Sequence, residues 1–85
     1  MTVADKLERW ADVPRDLAEL VVSYADDERL AVSTLRSASR RSRLVKARQH
    51  VAAEARRRGY TFWQIARALN RDHSTIVHAV KGVGR

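Results

Sequence analysis

Residues 61–80 read TFWQIARALNRDHSTIVHAV, and the spacing within this stretch decides the fold. Thr61 is a helix-capping type, and Gln64 stands three residues later. In that capping-box pattern each side chain satisfies the other residue's unpaired backbone N–H. Tyr60 before the cap and Ile65 at the fourth helical position have the layout of a hydrophobic staple. Ile65, Ala66 and Leu69 then recur at helical spacing. Asn70-Arg71 reads as a tight turn. Asp72 reads as the cap of a final helix running from His73 to about Lys81, with Gly82 and Gly84 as its stop. Ile76, Val77 and Val80 form the anchoring side of that helix, which leaves a polar start. A helix, a short turn and a second helix that begins polar make the helix-turn-helix layout.

The same reading extends upstream. A helix is expected from about Leu44 to Arg58, with Val51, Ala52 and Ala55 as a small-residue face and Gly59 as its stop. Arg56, Arg57 and Arg58 in its last turn favourably oppose the negative end of the helix dipole. Ser37 to Arg43 is small and basic with no apolar period, and reads as a loop. Val32 to Ser37 reads as a short helix presenting Val32 and Leu35. Pro14 suits the first turn of a helix whose stripe is Leu17, Leu20, Val21 and Tyr24 and which Asp26-Asp27 closes. Thr2 caps an additional N-terminal helix carrying Leu7 and Trp10 and ending near Asp12. Strand signals are scarce. The expected fold is all-α: a small helical bundle containing a helix-turn-helix with a preceding basic loop. Residues 1–13 form an extra N-terminal helix, and residues 14–85 the domain proper.

Eighty-five residues make one small domain, and with 45% apolar residues it can bury a modest core. There is no cysteine, hence neither a disulfide nor a thiolate metal site. The apolar runs are too short to span a bilayer, and Met1 to Lys6 lacks a secretory layout. The net charge of +7 is unevenly placed. Residues 1–30 carry four basic and eight acidic groups, a net of −4; residues 31–85 carry thirteen basic groups against Glu54 and Asp72, a net of +11. Such a basic half points to a polyanion partner.

At the start of the last helix, Asp72 can accept from a cytosine amino group, and His73 can donate to or accept from a purine edge. Ser74 can bond a base or a phosphate. Thr75 and His78 share a helix face and can reach one phosphate strand. Upstream, Arg40, Arg41, Arg43, Lys46 and Arg48 surround Leu44 and Val45. An extended arginine-rich segment beside such a unit can enter an adjacent minor groove. Arg48-Gln49 falls within a helix, which favours a phosphate contact over a base contact. Tyr60, Phe62 and Trp63 cluster at a helix start, where core packing is expected. His73 and His78 are five apart and do not share a helix face, so no metal site is expected. Ser74 beside His73 is adjacency rather than a catalytic geometry, and no glycine-rich phosphate loop is present. Neither enzymatic activity nor a cofactor is expected.

These residues resemble a known family. The stretch from Pro14 to Val83 is similar to the C-terminal DNA-binding domain (domain IV) of the bacterial replication initiator DnaA. Its most specific part is Arg71-Asp72-His73-Ser74-Thr75-Ile76-Val77-His78-Ala79, which resembles the signature Arg-Asp-His-Thr/Ser-Thr-Val-hydrophobic-His-Ala. Val32-x-x-Leu35-x-Ser37, the basic loop and Arg48-Gln49 match upstream at the family's spacing. The resemblance implies base contacts from Arg40 in the minor groove and from Asp72, His73 and Ser74 in the major groove. It implies that Arg48, Gln49, Arg56, Thr75 and His78 contact or steer toward phosphates. Arg43, Lys46, Thr61, Arg71 and Lys81 are expected to join them. The implied target is double-stranded DNA bearing a DnaA box of the TTATNCACA type.

The chain also departs from the family's pattern. Ser74 stands where threonine is commoner, Ala47 where proline is common, and Asn70 in place of two glycines. The nucleotide-binding module is missing. The chain is therefore expected to act as a stand-alone, cytoplasmic, nucleoid-associated regulator of replication or transcription, competing with the full-length initiator. The family's last helix is missing too, and the helix around Leu7 and Trp10 is expected to cover the surface it would occupy. The alternative expectation is an interaction module: the acidic segment binds a protein partner or a second copy, and the basic half binds nucleic acid non-specifically.

Overall fold

The computed structural model of the chain describes residues 13–83, and among them every regular element is helical. The helices are α1 (Arg15–Asp27), α2 (Val32–Leu35), α3 (Ser42–Arg57), α4 (Phe62–Leu69) and α5 (His73–Val83). The expected N-terminal helix with Thr2, Leu7 and Trp10, its covering role, and the stop at Gly84 lie outside the described residues. No described helix is long and apolar enough to cross a membrane.

One core joins all five helices. Leu17, Val21 and Ala25 of α1 meet Leu35 of α2, Val51, Ala52 and Ala55 of α3, Ile65, Ala68 and Leu69 of α4, and Ile76 of α5. Leu20 and Tyr24 sit at its edge, half-buried. Helix α3 packs against each of the others, and most extensively along α5. Its alanines make this close approach possible, because Ala47, Ala52 and Ala55 bury no bulk between helix axes.

Four helix boundaries differ from expectation. Helix α2 ends at Leu35 rather than Ser37, where the Arg36 N–H returns to Val32 O and the Ser37 hydroxyl donates to Thr34 O. Pro14 precedes α1 rather than occupying its first turn: its ψ of 139° is extended, and its carbonyl accepts the Ala18 N–H at 3.0 Å. Helix α3 begins at Ser42, two residues before the expected start, its first turn closed by the Val45 N–H on Arg41 O at 3.0 Å; Ser42 and Arg43 are polar, so the apolar period marks the helix only from Leu44. Helix α5 continues through Gly82 to Val83, so Gly82 is not its stop. A Cβ at Gly82 would lie 3.6 Å from the Gln49 side-chain amide, an ordinary contact.

The turns follow local chemistry. Thr61 Oγ1 accepts the Gln64 N–H at 3.1 Å, and Gln64 Oε1 accepts the Thr61 N–H at 2.9 Å, which completes the capping box. Gly59 ends α3 at φ +95°, with Tyr60 N–H on Ala55 O and Gly59 N–H on Arg56 O. Asn70 ends α4 in the same way at φ +54°, with Arg71 N–H on Ala66 O and Asn70 N–H on Arg67 O. This double bond at a left-handed residue turns the chain sharply into α5.

Candidate nucleic-acid interface

Helix α5 is anchored by Ile76, which is buried, and by Val80, which packs on the core edge. Anchoring on this side turns the opposite side outward. Asp72, Ser74, Thr75, His78 and Lys81 are exposed, and Arg71 and His73 are half-buried. Asp72 does not cap the helix with its carboxylate. Its main-chain carbonyl accepts the Ile76 N–H at 3.2 Å, and no described residue donates to its side chain. The carboxylate therefore remains available as an acceptor at the helix start.

His73 is held by aromatic neighbours. Its ring stacks on Trp63 with centroids 4.3 Å apart and planes at 28°, and Phe62 meets it edge-on at 5.8 Å and 88°. Phe62 and Tyr60 pack against the core as expected, but Trp63 does not: it is 69% exposed. The reason is position on α4. Ile65, Ala66, Ala68 and Leu69 take the buried face, which leaves the second helical residue pointing out beside α5. The Arg56 guanidinium lies 4.5 Å over the Phe62 ring and donates to Tyr60 O at 2.9 Å, so this exposed cation is also held in place. Thr61 is exposed with its backbone N–H taken by Gln64.

The loop before α3 is braced from two helices. Arg48, expected at a phosphate, is only 6% exposed. Its Nε donates to Leu35 O at 2.7 Å, Nη1 to Ser39 O at 2.7 Å and Nη2 to Ser37 O at 2.8 Å. The guanidinium thus shapes the loop from inside, because all three of its nitrogens face main-chain carbonyls. Burial lowers its pKa from the ordinary arginine value, and the nearby Arg71 cation adds to that. Arg71, from the turn into α5, donates through Nη2 to Ser37 O at 2.6 Å and to Ser39 O at 3.4 Å. Arg40 and Arg41 lie on the outside of this braced loop, exposed.

Arg36 is a functional-region residue that sequence reasoning missed. It donates to Ala68 O at 2.9 Å and Arg67 O at 3.2 Å, satisfying carbonyls at the end of α4. Asn70 Nδ2 returns a bond to Arg36 O at 3.3 Å. Its contacts lie more than thirty residues away in sequence, where no local pattern signals them. Burial lowers the Arg36 pKa from its ordinary value.

The remaining expected positions are dispersed. Gln49 is half-buried with its amide near Gly82. Arg43 and Lys46 are exposed and border a groove of about 270 Å³ with Tyr24, Glu28, Leu30 and His50, beside α1 rather than at the start of α5. Arg43 Nη2 donates to Glu28 O at 2.6 Å there. The structure thus groups Asp72, His73, Ser74, Thr75 and Arg71 with the Arg40 loop, with Arg56 beside Phe62. It draws Arg48 inside and sets Arg43 and Lys46 apart.

The ion pairs among the described residues are Arg15–Glu19, Glu54–Arg57 and Glu54–Arg58, none of them at the start of α5. The hydrogen bond from Arg57, with help from Arg58, holds the Glu54 carboxyl below its usual pKa. Arg48 and Arg71 instead face neutral carbonyls, so the loop and the α5 start keep their positive charge. That charge, a polar helix start and an adjacent braced arginine loop together suit the phosphates and base edges of a duplex.

Comparison with family models matches residues 16–83 to the bacterial DnaA protein helix-turn-helix. No curated protein and no solved structure matches the chain. The matched span runs from the start of α1 to the end of α5 and includes both braced segments, and the chain therefore belongs to the bacterial DnaA helix-turn-helix family, a family of DNA-binding domains.

Proposed function

We propose that this chain is a sequence-specific reader of double-stranded DNA that recognises a DnaA-box-like site. The start of α5 enters the major groove, where Asp72, His73 and Ser74 read base edges, while Arg40 reaches the adjacent minor groove. Arg56, Thr75, His78 and Lys81 contact the flanking phosphates. The protein acts by occupancy rather than turnover: it regulates replication initiation or transcription at the nucleoid, in competition with a full-length initiator.

One observation carries this reading. Arg71 belongs to the turn that starts α5, yet it donates to Ser37 and Ser39 of the Arg40 loop. The two segments offered to the two grooves are therefore joined at a fixed spacing, as a reader of one continuous site requires.

Selection of bound sites from random duplex DNA tests it. A consensus of the TTATNCACA type is expected, and a bound pool without consensus overturns the reading. His73→Ala is expected to weaken binding to the selected site by about 1–3 kcal/mol and to relax preference at the base it reads.

A further inference from the structure

Trp63 is the large side chain of the helix-turn-helix that burial does not account for. At 69% exposed it gains little from the core, although its neighbour Phe62 packs there. What covers it is a polar ring: the His73 imidazole, stacked at 4.3 Å and 28°. Phe62 closes on the same imidazole from another direction, edge-on at 5.8 Å. The first residue of α5 is thus held by two consecutive aromatic residues from the start of α4.

We propose that Trp63 is a positioning residue for His73, fixing the imidazole so that it presents its ring edge to a base and thereby setting sequence discrimination. This rests on the reading above that His73 contacts a base. Stacking engages the faces of the two rings, whereas the imidazole N–H and lone pair lie in the ring plane. The ring is therefore oriented while its nitrogens stay open, and no described residue hydrogen-bonds to them. A histidine at the first position of a helix otherwise samples several rotamers, and that freedom is lost on binding. The indole removes it beforehand, and the cost of ordering no longer falls on the complex.

The experiment compares wild type, Trp63→Ala, Trp63→Phe, His73→Ala and the double variant Trp63→Ala/His73→Ala. The readouts are the affinity ratio for selected over scrambled duplex, thermal melting, and the ring-current shift of the His73 imidazole protons by NMR. Trp63→Ala is expected to melt like wild type, to lose the ring-current shift, and to lower the ratio about two- to tenfold, the scale of one aromatic pair. Trp63→Phe restores most of the ratio, because a ring again faces the imidazole. In the His73→Ala background, removing Trp63 costs nothing further.

An unchanged ratio in Trp63→Ala overturns the inference and leaves the base-reading role of His73 intact. An equal loss with and without His73 also overturns it, since Trp63 then acts on its own. If His73→Ala leaves the ratio unchanged, the base-reading role fails and the inference fails with it.

Discussion

Arg48 and Arg71 show how a cation can be structural on a surface built for anions. Both guanidiniums converge on the carbonyls of Ser37 and Ser39, and neither pairs with a carboxylate of the described residues. A planar fork spreads its donors over three nitrogens and so reaches three separated carbonyls at once, whereas an ammonium must aim all of its N–H groups from one nitrogen. Arg48→Ala leaves the buried Leu35 carbonyl without its donor and the Ser37 and Ser39 carbonyls with Arg71 alone. It is expected to lower stability by about 2 kcal/mol or more in urea unfolding. Arg48→Lys should recover only part of this loss. Both variants should also reduce discrimination between selected and scrambled duplex, because the loop that carries Arg40 loosens. A variant of unchanged stability would place Arg48 outside the brace. Asp72 is the opposite case: an exposed carboxylate with no described donor, which does not cap its own helix.

Three helices end by the same device. Helices α1, α3 and α4 close on Arg29 at φ +56°, Gly59 at φ +95° and Asn70 at φ +54°. At each, the next residue's N–H returns to a carbonyl of the last turn: Leu30 to Ala25, Tyr60 to Ala55 and Arg71 to Ala66. Glycine adopts this conformation freely and asparagine tolerates it, but arginine is strained there. Arg29→Gly is therefore expected to raise stability by about 1 kcal/mol in thermal or urea unfolding. Gly59→Ala should lower it by about as much; a Cβ there meets nothing within 4 Å, so the loss is backbone strain alone. Equal stability of all three proteins would show that these ends relax without penalty.

Charge is divided across the molecule. Apart from Asp72, the exposed acidic residues of the described chain, Asp16, Glu19, Asp26, Asp27 and Glu28, lie on or just after α1, and the cations concentrate in the loop and α3, with Arg71 just before α5 and Lys81 on it. Because the braces of the loop use carbonyls, folding does not neutralise that basic half. Duplex binding is therefore expected to weaken steeply with salt, with log affinity falling by about 0.9 per decade of salt for each phosphate neutralised. Titrations from low to high salt check this, and a slope near zero would remove the phosphate contacts from the account.

The capping box at Thr61 and Gln64, the stop at Gly59, the turn at Asn70 and the anchoring face of Ile76 were all legible in the amino-acid sequence. Each depends on residues within about one helical turn of one another, so spacing alone carries the information. The polar start of α5 was legible for the same reason. The inward turn of Arg48, the brace from Arg71 and the role of Arg36 were not. Arg71 meets Ser37 across 34 residues and Arg36 meets Ala68 across 32, and such partners are chosen by how helices pack. Trp63 follows the same rule. Its composition suggests core, but the packing of α4 against α1, α3 and α5 uses the other faces of that helix and leaves the indole beside His73. Local hydrogen bonds decide where helices begin and end, whereas the disposition of helix faces decides which side chains are left to meet DNA.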